Sequence, residues 1–272
     1  MAVGTDADAV LDHPAVDTEG RELLTELVSI PSVSGNETEA AEALAAFFER
    51  HDREVWLDDI GNVRAPGDDT VLLTSHIDTV PGDIPIEIKD GDEGPELWGR
   101  GSVDATGPLA AMAIAAVETG ASFVGVVGEE STSRGAWHLI ENREAPEAVI
   151  NGEPSGWDGI TLGYRGLLEG TYVATSESGH SSRPDPNAIQ HAVGWWERVE
   201  KTFEPDEWVP VFEQVTTKPV EFEGGISVDG LSMESTMEFQ LRVPPERTPE
   251  EVRELSDAEL ETGTVNWTEF IP

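Results

Sequence analysis

Residues 70–78 read TVLLTSHID, an apolar run that ends in a histidine and an aspartate. The run predicts a buried strand over residues 70–75, with His76 and Asp78 at its carboxyl end. Similar apolar runs at 122–127 and 148–150 predict further strands, with helical patterns between them. Strands that alternate with helices are typical of an α/β fold, so we predict a doubly wound, mostly parallel sheet.

The helix signals around these strands are local. Residues 19–29 carry one apolar stripe, and Ser34 with Glu37 forms a capping-box pattern before a helix predicted to end near His51. Residues 97–103 are expected to form a strand that places Asp104 at its carboxyl end. Thr106 is predicted to cap the alanine-rich helix that follows. We assign this part of the chain, residues 1–165, to the predicted α/β domain.

The sequence pattern changes near Gly166. Residues 167–175 and 232–243 alternate between apolar and polar side chains, which predicts half-buried strands. Helices are predicted at 187–203 and 248–260, and a last strand at 263–270. This pattern predicts a separate α+β domain over residues 166–270.

Charge excludes several classes of partner. The chain has 16 Lys and Arg against 55 Asp and Glu, a formal net charge of −39. Nucleic acids and anionic membranes would be repelled, because binding to them depends on basic side chains. A disordered acidic chain is the alternative, but 38% hydrophobic residues and eight tryptophans favour a folded, halophilic protein. Concentrated salt screens repulsion between surface carboxylates.

The expected location is the cytoplasm. Cysteine is absent, which excludes disulfides and thiolate metal ligands. The first twenty residues lack the basic and apolar regions of a signal peptide. The longest apolar stretch, Ala110–Val117, is too short to span a bilayer.

An imidazole and three carboxylates fall where the pattern predicts successive strand ends. They are His76, Asp104, Glu130 and Glu153. Ligands of open α/β sheets bind beside the carboxyl ends of the strands. One histidine with three carboxylates suits Zn²⁺, Co²⁺ or Mn²⁺. The sequence therefore predicts a metal site, although each residue alone could be an ordinary structural or surface group.

Two further carboxylates are candidates for supporting chemistry. Asp78 lies two residues after His76 and could accept the imidazole N–H, which would fix the tautomer of a metal-bound histidine. Glu129 directly precedes Glu130, so if one binds the metal, the other is available as a general base. The alternative for this pair is two solvated acids.

Four ordered motifs resemble the co-catalytic zinc hydrolases that include acetylornithine deacetylase, succinyl-diaminopimelate desuccinylase and glutamate carboxypeptidase. They are SHIDTVP at 75–81, GRGSVD at 99–104, GEES at 128–131 and GEP at 152–154. The resemblance implies two zinc ions, or cobalt. In it, His76 and Glu153 hold one metal, Asp104 bridges, and Glu130 holds the other. Asp78 would be the orienting acid and Glu129 the proton shuttle.

Longer stretches are similar to the LysW-lysine and LysW-ornithine hydrolases within that family. They are DATGPLAAM at 104–112, GEPSGWD at 152–158 and LGYRG at 162–166. These enzymes release lysine or ornithine from a small acidic amino-group carrier protein, in lysine and arginine biosynthesis. An N-acyl amino acid deacylase of the same fold is the competing interpretation.

The second domain resembles the inserted lid of this family, which also makes the dimer contact. GHSS at 179–182 matches the lid motif, so His180 is expected to help polarise the scissile carbonyl, although a simple turn histidine is the alternative. Arg165 could bind a substrate carboxylate or form an ordinary hinge salt bridge.

The sequence departs from the family pattern at its carboxyl end. The family completes its second metal site with a histidine after the lid, and no histidine here is a natural replacement. We therefore expect a missing catalytic segment, weaker binding of the second metal, low activity and an exposed apolar face. Two alternatives stay open: a non-catalytic binding module, and an acidic structural protein without a site.

Overall fold

The computed structural model describes residues 10–156, 158–180, 182 and 184–268. The chain forms two compact units, Met1–Gly159 and Ile160–Pro272. The functional domains predicted at 1–165 and 166–270 stay a prediction.

The first unit contains a mixed sheet. Its strands, with those of a separate hairpin, are β1 Trp56–Leu57, β2 Val63–Ala65, β3 Asp68–His76, β4 Glu87–Gly91, β5 Gly94–Trp98, β6 Ala121–Val126 and β7 Ala148–Asn151. The order is β1-β2-β6-β3-β7 within the described residues. Strands β6, β3 and β7 are parallel, whereas β2 pairs antiparallel with β6 and β1 pairs antiparallel with β2. The predicted α/β class is confirmed, with a larger antiparallel share than expected.

Helices pack mainly on one face of this sheet. They are α1 Glu19–Val28, α2 Thr38–Arg50 and α3 Thr106–Thr119. Leu44, Phe47 and Phe48 of α2 are fully buried against sheet residues that include Phe123. Each such side chain stabilises the fold by about 1.5–3 kcal/mol when it leaves water. The opposite face is covered by α4, Arg134–Asn142, through Leu139.

Strand β7 is exposed on both faces. Val149 pairs with Leu72 on the α4 face and is 54% exposed, whereas Ile150 pairs with Leu73 on the face of α1–α3 and is 45% exposed. The sheet therefore does expose apolar side chains, and the reason expected for this from the sequence stays a prediction.

Asp104 reaches the sheet edge by a route that the sequence did not predict. Residues 94–98 form β5, which pairs only with β4 in a two-stranded sheet among the described residues. The chain then turns, and Asp104 lies just before α3, not at the end of a strand of the main sheet. The expectation of four successive strand ends is therefore wrong for Asp104.

Two predicted helix caps are also wrong. Helix α2 begins after Glu37 without a side-chain cap, and α3 begins after Ala105, also uncapped, so Thr106 is its first residue. Ser34 and Glu37 bond elsewhere because both meet partners distant in sequence, as described below. Gly120 ends α3 in the left-handed conformation with φ 76°, which glycine adopts without steric cost.

The second unit is an antiparallel sheet with helices packed on it. Its strands are β8 Gly166–Glu177, β9 Thr216–Ile226, β10 Ser232–Val243 and β11 Thr264–Trp267, in the order β11-β8-β10-β9 within the described part of the chain. Helices α5, Ala188–Phe203, and α6, Pro249–Ala258, bury Trp195 and Val252 with the sheet residue Phe239. The α+β architecture is as predicted, except that β9 was missed. The last predicted strand extends into residues 269–270, which lie outside the described residues.

No helix in the described ranges has the length and apolar content that a membrane crossing requires.

Candidate metal centre

His76 is the centre of the site. It is the last residue of β3 and lies beside Val126 of β6 in the sheet register. Its side chain is 1% exposed. Nδ1 lies 2.8 Å from the backbone carbonyl oxygen of Asp78. Since a carbonyl oxygen only accepts, Nδ1 carries the proton, and Nε2 faces the acidic groups.

Carboxylates converge on the Nε2 side of His76. Asp104 Oδ1 lies 3.1 Å from Nε2, and Glu153 Oε2 lies 3.8 Å from it. Ligand atoms of His76, Asp104 and Glu130 all lie within 4.8 Å of one another. This spacing allows one divalent cation to contact all three side chains.

The pKa values of the site reflect burial first and the neighbouring charges second. Burial raises the pKa of Glu130, and the nearby Asp104 carboxylate raises it further. Burial also raises the pKa of Glu153, reinforced by Glu129 and Asp104 against the opposing effect of His76. For His76, burial favours a lower pKa, but Glu153 and the bond to the Asp78 carbonyl raise it on balance. A bound cation would offset the repulsion among these carboxylates, which adds to the effect of burial.

Asp78 uses its side chain differently from the predicted contact. Its carboxylate Oδ1 is 3.7 Å from His76 Nδ1, beyond hydrogen-bond distance, and the imidazole bonds to the Asp78 backbone instead. The carboxylate accepts the backbone N–H groups of Glu129 at 2.9 Å and Glu130 at 3.0 Å. It also accepts the Ser34 hydroxyl at 2.6 Å. Asp78 thus holds the backbone of the Glu129–Glu130 pair.

The residue that sequence reasoning missed here is Ser34. Its hydroxyl was assigned to a helix cap, because a Ser followed three residues later by Glu has that local meaning. The bond to Asp78 joins residues 44 positions apart, which no local pattern signals.

Replacing Asp78 with alanine should destabilise the first unit more than replacing Ser34. Asp78→Ala leaves three donors without their acceptor, so we expect the free energy of unfolding to fall by about 2–4 kcal/mol. Ser34→Ala removes one bond to the same carboxylate and should cost about 1–2 kcal/mol. Urea unfolding of both variants measures the difference; equal losses would show that the bonds to Glu129 and Glu130 contribute nothing.

Glu153 is positioned by the turn after β7. Gly152 N donates to Thr74 O at 2.7 Å, and the Ser75 hydroxyl donates to Gly152 O at 2.7 Å. A Cβ on Gly152 would lie 2.9 Å from Met112 Cγ and 3.1 Å from Pro108 Cβ, both on α3. The turn therefore lies directly against α3, and a side chain at position 152 would require Met112 to shift.

The site is open to two cavities in the first unit. One of about 510 Å³ is bounded by His76, Glu129 and Glu153 and extends along apolar side chains of the sheet and α4, such as Leu72 and Leu139. The other, about 610 Å³, is bounded by Asp104, Glu130 and the exposed side chain of Trp98. A small molecule can therefore reach the group of acids.

Arg165 and His180 belong to the second unit. Arg165 Nη1 donates to Gln214 O at 3.1 Å and to Thr216 Oγ1 at 3.0 Å. Burial and the neighbouring Arg242 lower the pKa of Arg165. His180 is exposed, with Nδ1 3.0 Å from Ser182 Oγ; Ser181 of the same motif lies outside the described residues. Their predicted roles stay predictions.

Comparison with known proteins gives consistent matches. The profile of peptidase family M20/M25/M40 matches residues 72–265. The chain is similar to a LysW-lysine/LysW-ornithine hydrolase of Thermococcus kodakarensis, with 41% identity over 67% of this chain and 52% of the relative. It is also similar to a LysW-lysine hydrolase of Deinococcus radiodurans, with 36% identity over 89% of this chain and 70% of the relative.

Solved structures share the fold. A tripeptidase from Staphylococcus aureus superposes with a TM-score of 0.63 at 21% identity, over 92% of this chain and 74% of the other. An M20 family metallo-carboxypeptidase from Sulfolobus solfataricus superposes with a TM-score of 0.62 at 19% identity, over 92% and 78%. The chain spans about half the length of the Thermococcus relative.

Proposed function

Because the chain belongs to peptidase family M20/M25/M40, we propose that it is a metal-dependent amidohydrolase that releases lysine or ornithine from the amino-group carrier protein LysW. The observation that carries the proposal is the convergence of His76, Asp104 and Glu130 ligand atoms within 4.8 Å. The names of the similar hydrolases supply the substrate. The function would belong to lysine and arginine biosynthesis in the cytoplasm.

The residues present fit a divalent cation. His76, Asp104, Glu130 and Glu153 offer one imidazole and three carboxylates, a donor set suited to Zn²⁺ and also to Co²⁺. Burial and neighbouring carboxylates raise the pKa values of Glu130 and Glu153, and a cation beside these groups would favour their charged forms. We propose two zinc ions per subunit. When bound, such ions lower the pKa of a water molecule and polarise an amide carbonyl.

The side chains of this protein would then carry the proton transfers. Glu129 borders the same cavity as His76 and Glu153. We assign it as the general base that takes a proton from the attacking water and returns it to the leaving amine. The amide C–N bond breaks, the water oxygen ends in the new carboxylate, and lysine or ornithine leaves as the amine. Asp78 keeps Glu129 in place through the backbone bond described above.

The second unit is proposed to be the lid and the dimer contact of a homodimer. In this assignment residues 1–165 form the catalytic domain and residues 166–270 the lid. His180 would polarise the scissile carbonyl, and Arg165 would bind a substrate carboxylate. The bonds from Arg165 Nη1 to Gln214 and Thr216 would hold its guanidinium for that contact.

Substrate choice tests the proposal. The zinc-loaded chain in concentrated KCl is incubated with LysW-lysine, LysW-ornithine, N-acetylornithine and N-succinyl-diaminopimelate, and the released amine is measured. We expect release from the carrier substrates. Faster hydrolysis of the acyl amino acids would favour the N-acyl deacylase alternative, and zinc binding without any hydrolysis would favour a non-catalytic module.

We also propose that the protein is halophilic, since its formal net charge is −39. Raising KCl from 0.2 to 2 M should raise the melting temperature, because the Debye length falls to about 3 Å at 1 M and carboxylate repulsion is screened. Circular dichroism melts at several KCl concentrations measure the effect. A melting temperature that falls with KCl would contradict the proposal.

A further inference from the structure

Asn62 bridges the two ends of the loop that carries Glu129 and Glu130. We call residues 127–135 the Glu129 loop. The Asn62 side chain is fully buried. Its Oδ1 accepts the backbone N–H of Val127 at 3.0 Å, and its Nδ2 donates to the backbone carbonyl of Gly135 at 3.1 Å. One amide group therefore bonds to the first and last residues of the loop.

The loop is closed tightly at this point. Gly135 N donates to Val127 O at 2.9 Å, and Ser133 N donates to Gly128 O at 2.7 Å. A Cβ on Gly135 would lie 2.5 Å from Asn62 Oδ1 and 2.5 Å from both Val127 N and Val127 O. The absence of a side chain on Gly135 thus lets the Asn62 amide lie across the base of the loop.

The turn that carries Asn62 is itself fixed. Asp58 Oδ1 accepts the N–H groups of Ile60 and Asn62, and Asp58 Oδ2 accepts from Asn62 Nδ2 at 3.0 Å. Arg134 Nη1 donates to Ile60 O at 2.9 Å, and Arg134 Nη2 lies 2.9 Å from both carboxylate oxygens of Glu37. The turn at 58–62 thus holds the far end of the loop at Gly135 and at Arg134.

We propose that Asn62 is a positioning residue for Glu129 and Glu130. The inference depends on the proposed function, because it concerns a general base and a metal ligand. Asp78 holds the middle of the loop through the N–H groups of Glu129 and Glu130. Asn62 holds its two ends. With all three points fixed, the Glu130 carboxylate is placed before the metal arrives, so less order must be created on binding.

The test uses the full chain with Asn62→Ala, Asn62→Ser and the control Ser122→Ala. Asn62→Ser adds no charge beside Asp58 and is too short to reach both Val127 N–H and Gly135 O. It therefore tests the inference if Asn62→Ala does not fold. Ser122→Ala removes a buried side-chain bond, to Gly67 N–H, in the same unit but outside the Glu129 loop. The measurements are the zinc dissociation constant by calorimetry and amide hydrogen exchange of the zinc-free protein.

We expect zinc to bind about 10- to 100-fold more weakly to the Asn62 variants, as is typical when a group supporting a metal ligand is removed. Exchange should accelerate more than about tenfold at Glu129 and Glu130, while the α2 amides stay protected. Ser122→Ala should keep the wild-type dissociation constant within about twofold. Wild-type zinc affinity in a folded Asn62 variant, or an equal loss in Ser122→Ala, would overturn the inference. If the wild-type chain bound no zinc, the proposed function would fail instead, and the exchange data would still decide the role of Asn62.

Discussion

Replacing His76 with alanine is expected to remove tight zinc binding. The imidazole is the one neutral nitrogen donor among the proposed ligands, and its Nε2 faces both Asp104 and Glu153. Without it, the cation would be left to mutually repelling carboxylates, one of which, Asp104, has a side chain 57% exposed. We expect the zinc dissociation constant to rise at least about 100-fold. Removing a group that only supports a metal ligand typically weakens metal binding by about 10- to 100-fold.

Thermal unfolding gives a second measure of the same change. Zinc at 1,000 times its dissociation constant should stabilise the wild-type chain by about 4 kcal/mol. His76→Ala should lose nearly all of this gain at the same zinc concentration. His191→Ala, in helix α5 of the second unit, is the matched control and should keep it. An unchanged zinc response in His76→Ala would exclude the proposed metal centre.

Glu129→Gln is expected to lower turnover about 10²- to 10⁴-fold, the usual contribution of a general base. The amide is nearly isosteric but cannot take the proton from water. Zinc stoichiometry and affinity should stay within about twofold of wild type, because Glu129 is not a proposed ligand. Its backbone bond to Asp78 is independent of the side chain and should also remain.

Glu144→Gln is the matched control, because it removes a negative charge from another carboxylate that borders the cavity of about 510 Å³. Amine release and zinc calorimetry on both variants separate the loss of the general base from the loss of one charge. Glu144→Gln should keep turnover near that of the wild type. Full turnover in Glu129→Gln would reject the base assignment, and loss of zinc would make Glu129 a ligand instead.

Helices and strands could be predicted from the sequence where apolar side chains recur at a regular spacing. Strand β10 has the predicted bounds, Ser232–Val243, because its side chains alternate strictly. Strands β4 and β9 were missed, and β5 was predicted with the wrong bounds, 97–103, because these segments are rich in charge, Gly and Pro: β9 alone contains Pro219, Gly224 and Gly225. Such strands are stabilised by their partners rather than by a local signal.

The candidate site also has a part that could be predicted from the sequence and a part that could not. The sequence motifs picked out the residues that the structure brings together: His76, Asp104, Glu130 and Glu153. Their supporting contacts could not be predicted in the same way. Ser34, Asn62 and Glu37 act across 44 to 97 positions of the chain. The local pattern predicted that Ser34 and Glu37 cap a helix, but Ser34 bonds to Asp78 and Glu37 bonds to Arg134 instead.

The packing of Gly152 against α3 couples two acids on different chain segments. Asp104 lies two residues before the start of α3, and Gly152, before Glu153, packs against Pro108 and Met112 of the same helix. A shift of α3 along its axis would carry both carboxylates in the same direction. We therefore expect the separation between the two carboxylates to change less than the position of either, with α3 as their common support.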